Sequence, residues 1–205
     1  MGKEFILKDV VISDLGGVEY IQLKRMDYTL NGRRRRWNIA VMHDSIAVLL
    51  YEIDTHSFIL VKQFRPPVYL HNGDGFTYEL CAGLVDKELP LAEIAREEIR
   101  EETGYEIALT DLREVTSFYT SVGKSGARQY LYYAEVTGRQ RRSAGGGVEN
   151  EDIEVIKLPQ ERIWNFLYDE SKAKTPGLMF AFLWWWQRYG DEASSRPESA
   201  GSPPP

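Results

Sequence analysis

The alternation of hydrophobic and polar positions predicts a strand-rich beginning of the chain. Two candidate strands flank Asn31-Gly32, a pair that tolerates positive φ and therefore favours a hairpin turn. Residues 45–51 and 57–63 contain near-continuous apolar runs. Such runs indicate strands that are buried on both faces, so these two are expected in the centre of a sheet.

The remainder of the chain alternates shorter strands with helices. The strongest helix pattern covers about 90–102, with Pro90 near its first turn and Gly104 just past its end. The second central strand ends at a Pro-Pro pair, and a polar loop is expected near 71–75. Further strands are expected near 76–82, 115–121, 129–136 and 148–158, and further helices near 160–169 and 176–189. The pattern predicts an α+β fold with a mostly β core.

The composition is that of an ordinary globular protein. The 205 residues are enough for one domain or slightly more, with 43% hydrophobic and 27% charged residues. No stretch approaches about 18 uncharged apolar residues, so no membrane span is expected. The first residues of the chain lack an apolar signal region. Secretion is therefore not expected, and a cytoplasmic location is predicted. The formal net charge of −6 argues against general binding of nucleic acid.

The supply of metal-binding side chains restricts the kind of metal site. Cys81 is the only cysteine, and the histidines, His43, His56 and His71, are scattered. The single cysteine excludes an internal disulfide and a cysteine-rich zinc site, and the scatter disfavours a histidine site. Any metal is therefore expected to be a hard cation with oxygen ligands.

One helix places carboxylates where apolar side chains are expected. Leu91 and Ile94 begin an apolar stripe, whose continuation falls on Glu98, Glu101 and Glu102 within an arc of roughly 100°. Carboxylates this close raise one another's pKa, and burial adds to the cost of their charges. Mg²⁺ or Mn²⁺ is the usual partner of such an oxygen cluster.

A solvated acidic helix face is the alternative interpretation of the same residues. Glu93, Arg96, Glu97 and Arg100 already occupy the opposite side of this helix. A solvated face would therefore need charges all around the helix end, which favours the metal site.

The segment 83–105, GLVDKELPLAEIAREEIREETGY, resembles the Nudix hydrolase signature, Gly-x5-Glu-x7-Arg-Glu-U-x-Glu-Glu-x-Gly-U, where U is bulky and apolar. The matching positions are Gly83, Glu98, Ile99, Glu101, Glu102, Gly104 and Tyr105. The resemblance implies a Nudix α/β/α sandwich with a mixed β-sheet, preceded by a small N-terminal antiparallel β subdomain. It also implies that Glu98, Glu101 and Glu102 bind Mg²⁺ or Mn²⁺ together with the backbone carbonyl of Ala82.

Two positions depart from the signature. Leu89 stands where the first glutamate belongs, and Glu97 stands where the arginine belongs. In the family that arginine helps to orient the glutamates, so either Arg96 or Arg100 takes its place here, or no cation does. Two acidic residues are conceivable replacements for the lost glutamate, Asp86 and Glu88.

Outside the signature, about residues 18–188 resemble the Nudix branch of UDP-sugar (UDP-glucose) pyrophosphatases and the related ADP-ribose pyrophosphatases. The segments that carry this likeness are 43–45, 61–66, 78–86, 118–123 and 174–175. The loop 124–129 lacks the acid that ADP-ribose enzymes usually have there, and Cys81 replaces their usual proline. Both departures favour the UDP-sugar branch.

The resemblance implies Mg²⁺-dependent hydrolysis of UDP-glucose to UMP and glucose 1-phosphate. ADP-ribose, cleaved to AMP and ribose 5-phosphate, is the alternative substrate, and a non-catalytic nucleotide-binding Nudix module is the alternative of another class. Relatives of this branch are homodimers whose N-terminal strands contribute to the partner's site. The expected organisation is a β subdomain for dimerisation over 1–42, a Nudix domain over 43–189 and a disordered tail over 190–205, which is rich in Ser, Pro, Glu and Gly.

The catalytic base is expected outside the signature. Glu149 and Glu151 follow a glycine-rich loop, 137–147, which is longer than a simple turn and a candidate mobile segment. Either residue is a candidate for the base or for an additional metal ligand, beside Glu102 of the helix. An acidic surface loop is the alternative.

Four further residues are candidates for substrate binding. Arg65 follows an apolar strand and could bind phosphate with two hydrogen bonds, as its family counterpart contacts substrate, or form a structural ion pair. Glu79 adjoins the signature and is a candidate substrate or metal contact. Trp37 could stack on a base or pack in a dimer interface, and Arg128 could contact a phosphate.

Overall fold

The structure, a computed structural model, describes residues 21–148 and 151–194. It begins with an antiparallel hairpin of β1 (Gln22–Leu30) and β2 (Arg33–Val41). Asn31 and Gly32 join these strands with φ of 53° and 74°. The predicted hairpin turn is therefore confirmed, because both residues adopt the left-handed backbone conformation that such a turn requires.

A mixed seven-stranded sheet forms the centre of the rest of the described chain. Its strands are β3 (Ser45–Glu52), β4 (Ser57–Phe64), β5 (Phe76–Glu79), β6 (Cys81–Leu84), β7 (Arg113–Tyr119), β8 (Arg128–Val136) and β9 (Ile153–Pro159). The order is β5-β4-β3-β8-β7, with β6 paired to β3 and β9 paired to β4. The β3–β8 pair is parallel, and the other pairs are antiparallel.

Helices cover both faces of this sheet. They are α1 (Pro66–Asn72), α2 (Leu91–Glu98), α3 (Ile163–Tyr168) and α4 (Pro176–Ser194). One hydrophobic cluster joins the sheet to α2, and a second joins it to α3 and α4. The predicted α+β class and α/β/α sandwich are therefore confirmed. None of the helices in the described ranges has the length and apolar character that crossing a lipid bilayer requires.

Strand β3 lies between the two hydrophobic clusters. Its successive side chains alternate between them, with Ile46 and Val48 in the cluster under α2 and Ala47 and Leu49 in the cluster under α4. All four are at most 1% exposed. The prediction that the apolar runs form central strands buried on both faces is therefore confirmed.

A buried polar group connects the end of β3 to the neighbouring elements. Glu52 is 1% exposed and accepts hydrogen bonds from the hydroxyls of Tyr105 and Thr55 and from the Lys157 ammonium. Burial alone would raise the pKa of Glu52, but these donors outweigh burial and hold the pKa below its ordinary value. The network ties the residue after the signature helix to the sheet.

Three elements differ from the sequence-based prediction. Helix α1 was missed, although its two prolines occupy the first helical turn, where a missing N–H costs no hydrogen bond. Strand β9 begins at Ile153, five residues later than expected. Helix α4 continues to Ser194, so it overlaps the tail expected from residue 190, and residues 195–205 lie outside the described ranges.

Candidate active site

Glu98 lies at the end of α2, against strand β6. A Cβ placed on Gly83 would come within 2.2 Å of Glu98 Oε1, so this approach requires glycine in the strand. Partial burial raises the pKa of Glu98 to about 7, and the charge of Glu101 adds to that rise. The two elements that the signature joins in sequence therefore meet at this carboxylate.

Glu102 is the buried member of the carboxylate cluster. Its side chain is 3% exposed, and Oε2 accepts a hydrogen bond of 3.0 Å from the Ala82 N–H. Burial raises the pKa of Glu102 to about 8, although the Ala82 N–H and the Cys81 thiol donate hydrogen bonds to it. Cys81 is itself fully buried, and burial followed by the charge of Glu102 raises its pKa well above the ordinary value. Cys81 is therefore a small buried residue and not an activated nucleophile.

The backbone of the signature helix changes its hydrogen-bonding pattern after α2. Residues Ile99–Thr103 form a π-helical turn. The carbonyls of Glu101 and Glu102 in this turn accept hydrogen bonds from Gly147 N–H (3.1 Å) and Gly146 N–H (2.8 Å). The glycine-rich loop is therefore anchored to the turn that carries two of the carboxylates. Single π-helical turns of this kind are frequent at functional sites.

Close packing explains why this loop contains glycines. Gly145 has a φ of +69°, and a Cβ there would lie 2.3 Å from the carbonyl oxygen of Glu102. Gly147 has a φ of +84°, and its Cβ would lie 2.5 Å from Oε2 of Glu151. Both positions combine a backbone conformation that favours glycine with a lack of space for a side chain.

The anchored loop brings Glu151 near the carboxylates of the helix. Glu151 Oε2 accepts a hydrogen bond of 3.1 Å from the Val148 N–H. The charge of Glu151 contributes to the raised pKa of both Glu98 and Glu102, which places it within electrostatic range of both. The other candidate base, Glu149, lies outside the described residues.

Arg65 and Glu79 form an ion pair with two hydrogen bonds. Nε and Nη2 of Arg65 each donate to one carboxylate oxygen of Glu79, with N···O distances of 2.8 Å. Burial would raise the pKa of Glu79, but the bonds from Arg65 outweigh it and lower the pKa. The Arg65 side chain is 45% exposed, and the charges of Glu102 and Glu151 also act on it. The pair therefore lies beside the carboxylate cluster, with the guanidinium reaching solvent.

Trp37 and Arg128 contact residues around the loop between β7 and β8. Trp37 is 52% exposed, and its Nε1–H donates a hydrogen bond of 2.9 Å to the Gly123 carbonyl. Arg128 Nη2 donates to the Tyr119 hydroxyl at 3.0 Å. These contacts fix both side chains, while their expected roles toward a substrate stay predictions.

The sequence reasoning missed a cation near the helix carboxylates. Lys87, between β6 and α2, forms an ion pair with Glu97 at 2.8 Å. The two arginines considered as replacements pair differently, because Arg96 contacts Glu93 and Arg100 Nη2 lies 3.3 Å from Glu101 Oε1. The only indication in the sequence was Glu97 itself, because a glutamate at the arginine position of the signature can pair with a cation from another segment.

The donors of this site suit a hard divalent cation. Within residues 21–148 and 151–194, no group of three His, Cys, Asp or Glu side chains is already arranged to hold a metal ion. The carboxylates of Glu98, Glu101 and Glu102 nevertheless provide the oxygen ligands that Mg²⁺ and Mn²⁺ prefer. The bare backbone of Gly83 leaves the space that Glu98 occupies, and the mutual repulsion of the carboxylates favours a bound cation. The residues present therefore fit Mg²⁺.

Comparison with known proteins identifies relatives along most of the chain. The family model described as NUDIX domain matches residues 41–174. The uridine diphosphate glucose pyrophosphatase NUDT14 of Bos taurus is 37% identical over 207 residues, covering 87% of this chain and 93% of the relative. The protein of the same name from Mus musculus is 34% identical, covering 82% and 89%. A GDP-mannose pyrophosphatase of Enterobacter sp. is 36% identical over 163 residues, covering 77% and 82%.

Proposed function

We propose UDP-glucose as the substrate of this chain, which belongs to the Nudix family and is a hydrolase of pyrophosphate bonds in nucleoside diphosphate sugars. The expected products are UMP and glucose 1-phosphate. The relatives named for UDP-glucose support this substrate over GDP-mannose, since the Bos taurus protein aligns over more of the chain than the Enterobacter protein does. The absence of an acid in the loop 124–129 speaks against ADP-ribose.

Mg²⁺, or Mn²⁺ in its place, is the proposed cofactor. Glu98, Glu101 and Glu102 would hold it with the carbonyl of Ala82. When bound, the ion supplies positive charge that neutralises the pyrophosphate oxygens of the substrate. The observation that carries the proposal is the close approach of the Glu98 carboxylate to Gly83, and the charges of Glu101 and Glu151 act on the same carboxylate.

Glu151 is the proposed general base. It takes a proton from the attacking water, whose oxygen adds to one phosphorus while the bridging oxygen leaves with the other phosphate. Its hydrogen bond from the Val148 N–H orients the carboxylate, and the anchored glycines keep it near the helix carboxylates. Glu149 is the alternative base.

Arg65 is the proposed contact to a substrate phosphate. The bonds to Glu79 use two of the five N–H donors of a guanidinium and hold its plane in one orientation. Its exposed edge can then bind phosphate oxygens with little loss of side-chain freedom. Glu79 acts in this scheme by positioning Arg65, while Arg128 is proposed as a second phosphate contact and Trp37 as a stacking or interface residue.

A homodimer with the N-terminal hairpin in its interface is also proposed. The hairpin exposes large apolar side chains, including Leu23 at 70% and Met26 at 51%. A two-stranded hairpin is marginally stable alone, and exposed apolar patches mark interaction surfaces. The proposed division into a dimerisation subdomain over 1–42 and a Nudix domain over 43–189 follows from this assignment.

The experiment that tests the substrate compares UDP-glucose, GDP-mannose and ADP-ribose side by side, with Mg²⁺ and with products identified by chromatography. The highest kcat/KM is expected for UDP-glucose, with UMP and glucose 1-phosphate as products. Glu101→Gln is expected to abolish turnover, because it removes a metal ligand. Glu93→Gln is the matched control, since Glu93 lies on the same helix and pairs with Arg96.

Each outcome of this comparison has a distinct meaning. Better turnover of GDP-mannose or ADP-ribose would keep the chemistry and overturn the substrate. Turnover that survives Glu101→Gln would overturn the assignment of the carboxylate site. Binding of a nucleotide sugar without hydrolysis of any of the three would indicate a non-catalytic module.

A further inference from the structure

Backbone contacts place the start of the glycine-rich loop beside the residues that follow the signature helix. The Arg142 N–H donates a hydrogen bond of 2.7 Å to the Gly104 carbonyl. The adjacent residues Tyr105 and Arg141 form an isolated antiparallel bridge. The loop therefore runs antiparallel to the end of the signature before it reaches its glycines.

The Arg141 side chain binds the chain directly before those glycines. Its Nε donates to the Ser143 carbonyl at 3.2 Å, and its Nη2 donates to the Ala144 carbonyl at 3.1 Å. The guanidinium carbon also lies 6.0 Å from the ring centre of Tyr105, which is fully buried. Because a guanidinium is planar and its donors have a fixed geometry, bonds to two successive carbonyls fix the direction of the chain. Arg141 therefore determines how the chain leaves residue 144.

Further contacts connect this part of the loop to Glu151. The Gly147 N–H bonds to the Glu101 carbonyl at 3.1 Å, and a Cβ on Gly147 would lie 2.5 Å from Oε2 of Glu151. Val148 bonds to Glu151 in both directions, with its N–H to Oε2 and its carbonyl to the Glu151 N–H, each at 3.1 Å. The carboxylate of Glu151 thus lies against the backbone of the loop. The course of the chain beyond residue 144 therefore affects where this carboxylate lies.

The neighbouring Arg142 provides a matched comparison. Both arginines are exposed and carry the same charge. Arg142 Nε lies 3.5 Å from the Glu106 carboxylate, in an ion pair whose side chains are 63% and 56% exposed. Such exposed ion pairs contribute little to stability. The two arginines therefore differ in what they bind, since Arg141 binds loop carbonyls and Arg142 binds the residue after Tyr105.

We propose that Arg141 is a positioning residue for Glu151, the proposed general base. The inference rests on the proposed function, because it requires Glu151 to take the proton of the attacking water. Without the guanidinium, the carbonyls of Ser143 and Ala144 bond to water, and the loop is free to take other courses. Glu151 then spends less time within reach of the attacking water. kcat falls, while KM changes little because the residues proposed to bind the substrate are untouched.

The test is a double-mutant cycle on kcat at saturating Mg²⁺, with whichever of the three nucleotide sugars is hydrolysed fastest. Arg141→Met is expected to lower kcat about fivefold to tenfold and to change KM less than about twofold. Arg141→Lys is expected to recover part of this loss, because an ammonium can still donate to a carbonyl. Arg142→Met is the control and is expected to keep its kcat. In the Glu151→Gln background, Arg141→Met is expected to cause no further fall, since the group through which it acts is gone.

Several results would overturn the proposal. These are an unchanged kcat in Arg141→Met, an equal fall in Arg142→Met, or a rise in KM that accounts for the loss. A further fall of the same factor in the Glu151→Gln background would show that Arg141 acts on something other than the base. If Arg141→Met does not fold, the same cycle is run with Arg141→Lys, whose smaller fall in kcat must likewise vanish with Glu151→Gln.

The cycle also distinguishes this inference from the proposed function. Full activity of Glu151→Gln would overturn the proposed base, and the role of Arg141 with it. Low activity of Glu151→Gln together with full activity of Arg141→Met would keep the base and overturn the role of Arg141 alone.

Discussion

The Glu98 carboxylate lies in the space where any side chain at position 83 would begin. A Cβ on Gly83 would come within 2.2 Å of Cδ and of Oε1 of Glu98. Gly83 is not among the glycines with positive φ, so its backbone conformation is open to other residues. The requirement for glycine therefore comes from the approach of the carboxylate alone.

Gly83→Ala is expected to displace Glu98 and lower kcat/KM about 100-fold, since a shift of roughly 1 Å in a catalytic group can cost that much. Steady-state kinetics with a nucleotide sugar measure the effect. Gly123→Ala is the control, because a Cβ there would meet nothing within 4 Å. Full activity of Gly83→Ala would show that Glu98 is dispensable or finds another position.

Glu151→Gln is expected to lower kcat by roughly 10²–10⁴-fold with little change in KM, because an amide cannot accept the proton of the attacking water. The measurement is kcat for nucleotide sugar hydrolysis at saturating Mg²⁺. Glu149→Gln, made in parallel, is expected to retain most of the activity. The reverse order of the two variants would assign the base to Glu149.

Arg65→Lys is expected to raise KM about tenfold while kcat changes less, because lysine keeps the charge but loses the two-point geometry. Glu79→Gln keeps the guanidinium but weakens the ion pair that orients it, so it is expected to raise KM by a smaller factor. KM values from initial rates distinguish a phosphate-binding role of Arg65 from a purely structural one. Equal KM values for Arg65→Lys and the unmodified protein would confine Arg65 to a structural ion pair.

The Glu52 network predicts a pH-dependent contribution to stability. The folded-state pKa of Glu52 lies below its ordinary value, so its stabilising effect is present above about pH 4.5 and is lost as the pH falls through the folded-state pKa. Lys157→Met should therefore cost about 1–2 kcal/mol of unfolding free energy at neutral pH and less in acid, the partial exposure of Lys157 limiting the effect.

Urea unfolding across this pH range measures the loss in Lys157→Met. Lys124→Met is the control, because Lys124 is exposed in the loop between β7 and β8 and should leave stability nearly unchanged. A loss that does not depend on pH would assign the effect of Lys157 to packing of its methylene chain.

Local sequence was sufficient to predict that the strand before the signature helix meets the acidic end of that helix. Gly83 and Glu98 lie on one strand and the following helix, and the structure brings them together as their spacing in the signature implies. The π-helical turn at Ile99–Thr103 was not predictable, because its carbonyls bond to a loop that is distant in sequence.

Two ion pairs, Arg65–Glu79 and Lys87–Glu97, could not be predicted from the sequence. Arg65 and Glu79 were both identified as candidates, but their contact depends on how β5 pairs with β4. The contact between Lys87 and Glu97 depends on the path of an irregular loop, for which hydrophobic periodicity gives no signal.

Because the glycine-rich loop is anchored through its backbone, the residues that follow it can change in evolution independently of the acidic helix. Gly146 and Gly147 bond to the carbonyls of Glu102 and Glu101 through peptide groups, while the side chains of those glutamates remain available to the site. The sequence that follows Gly147 can therefore change without disturbing this anchor, provided that the glycines and the proposed base Glu151 are kept. Such replacement would alter the approach to the substrate and leave the acidic helix intact, so new specificities can arise here without rebuilding the hydrolytic apparatus.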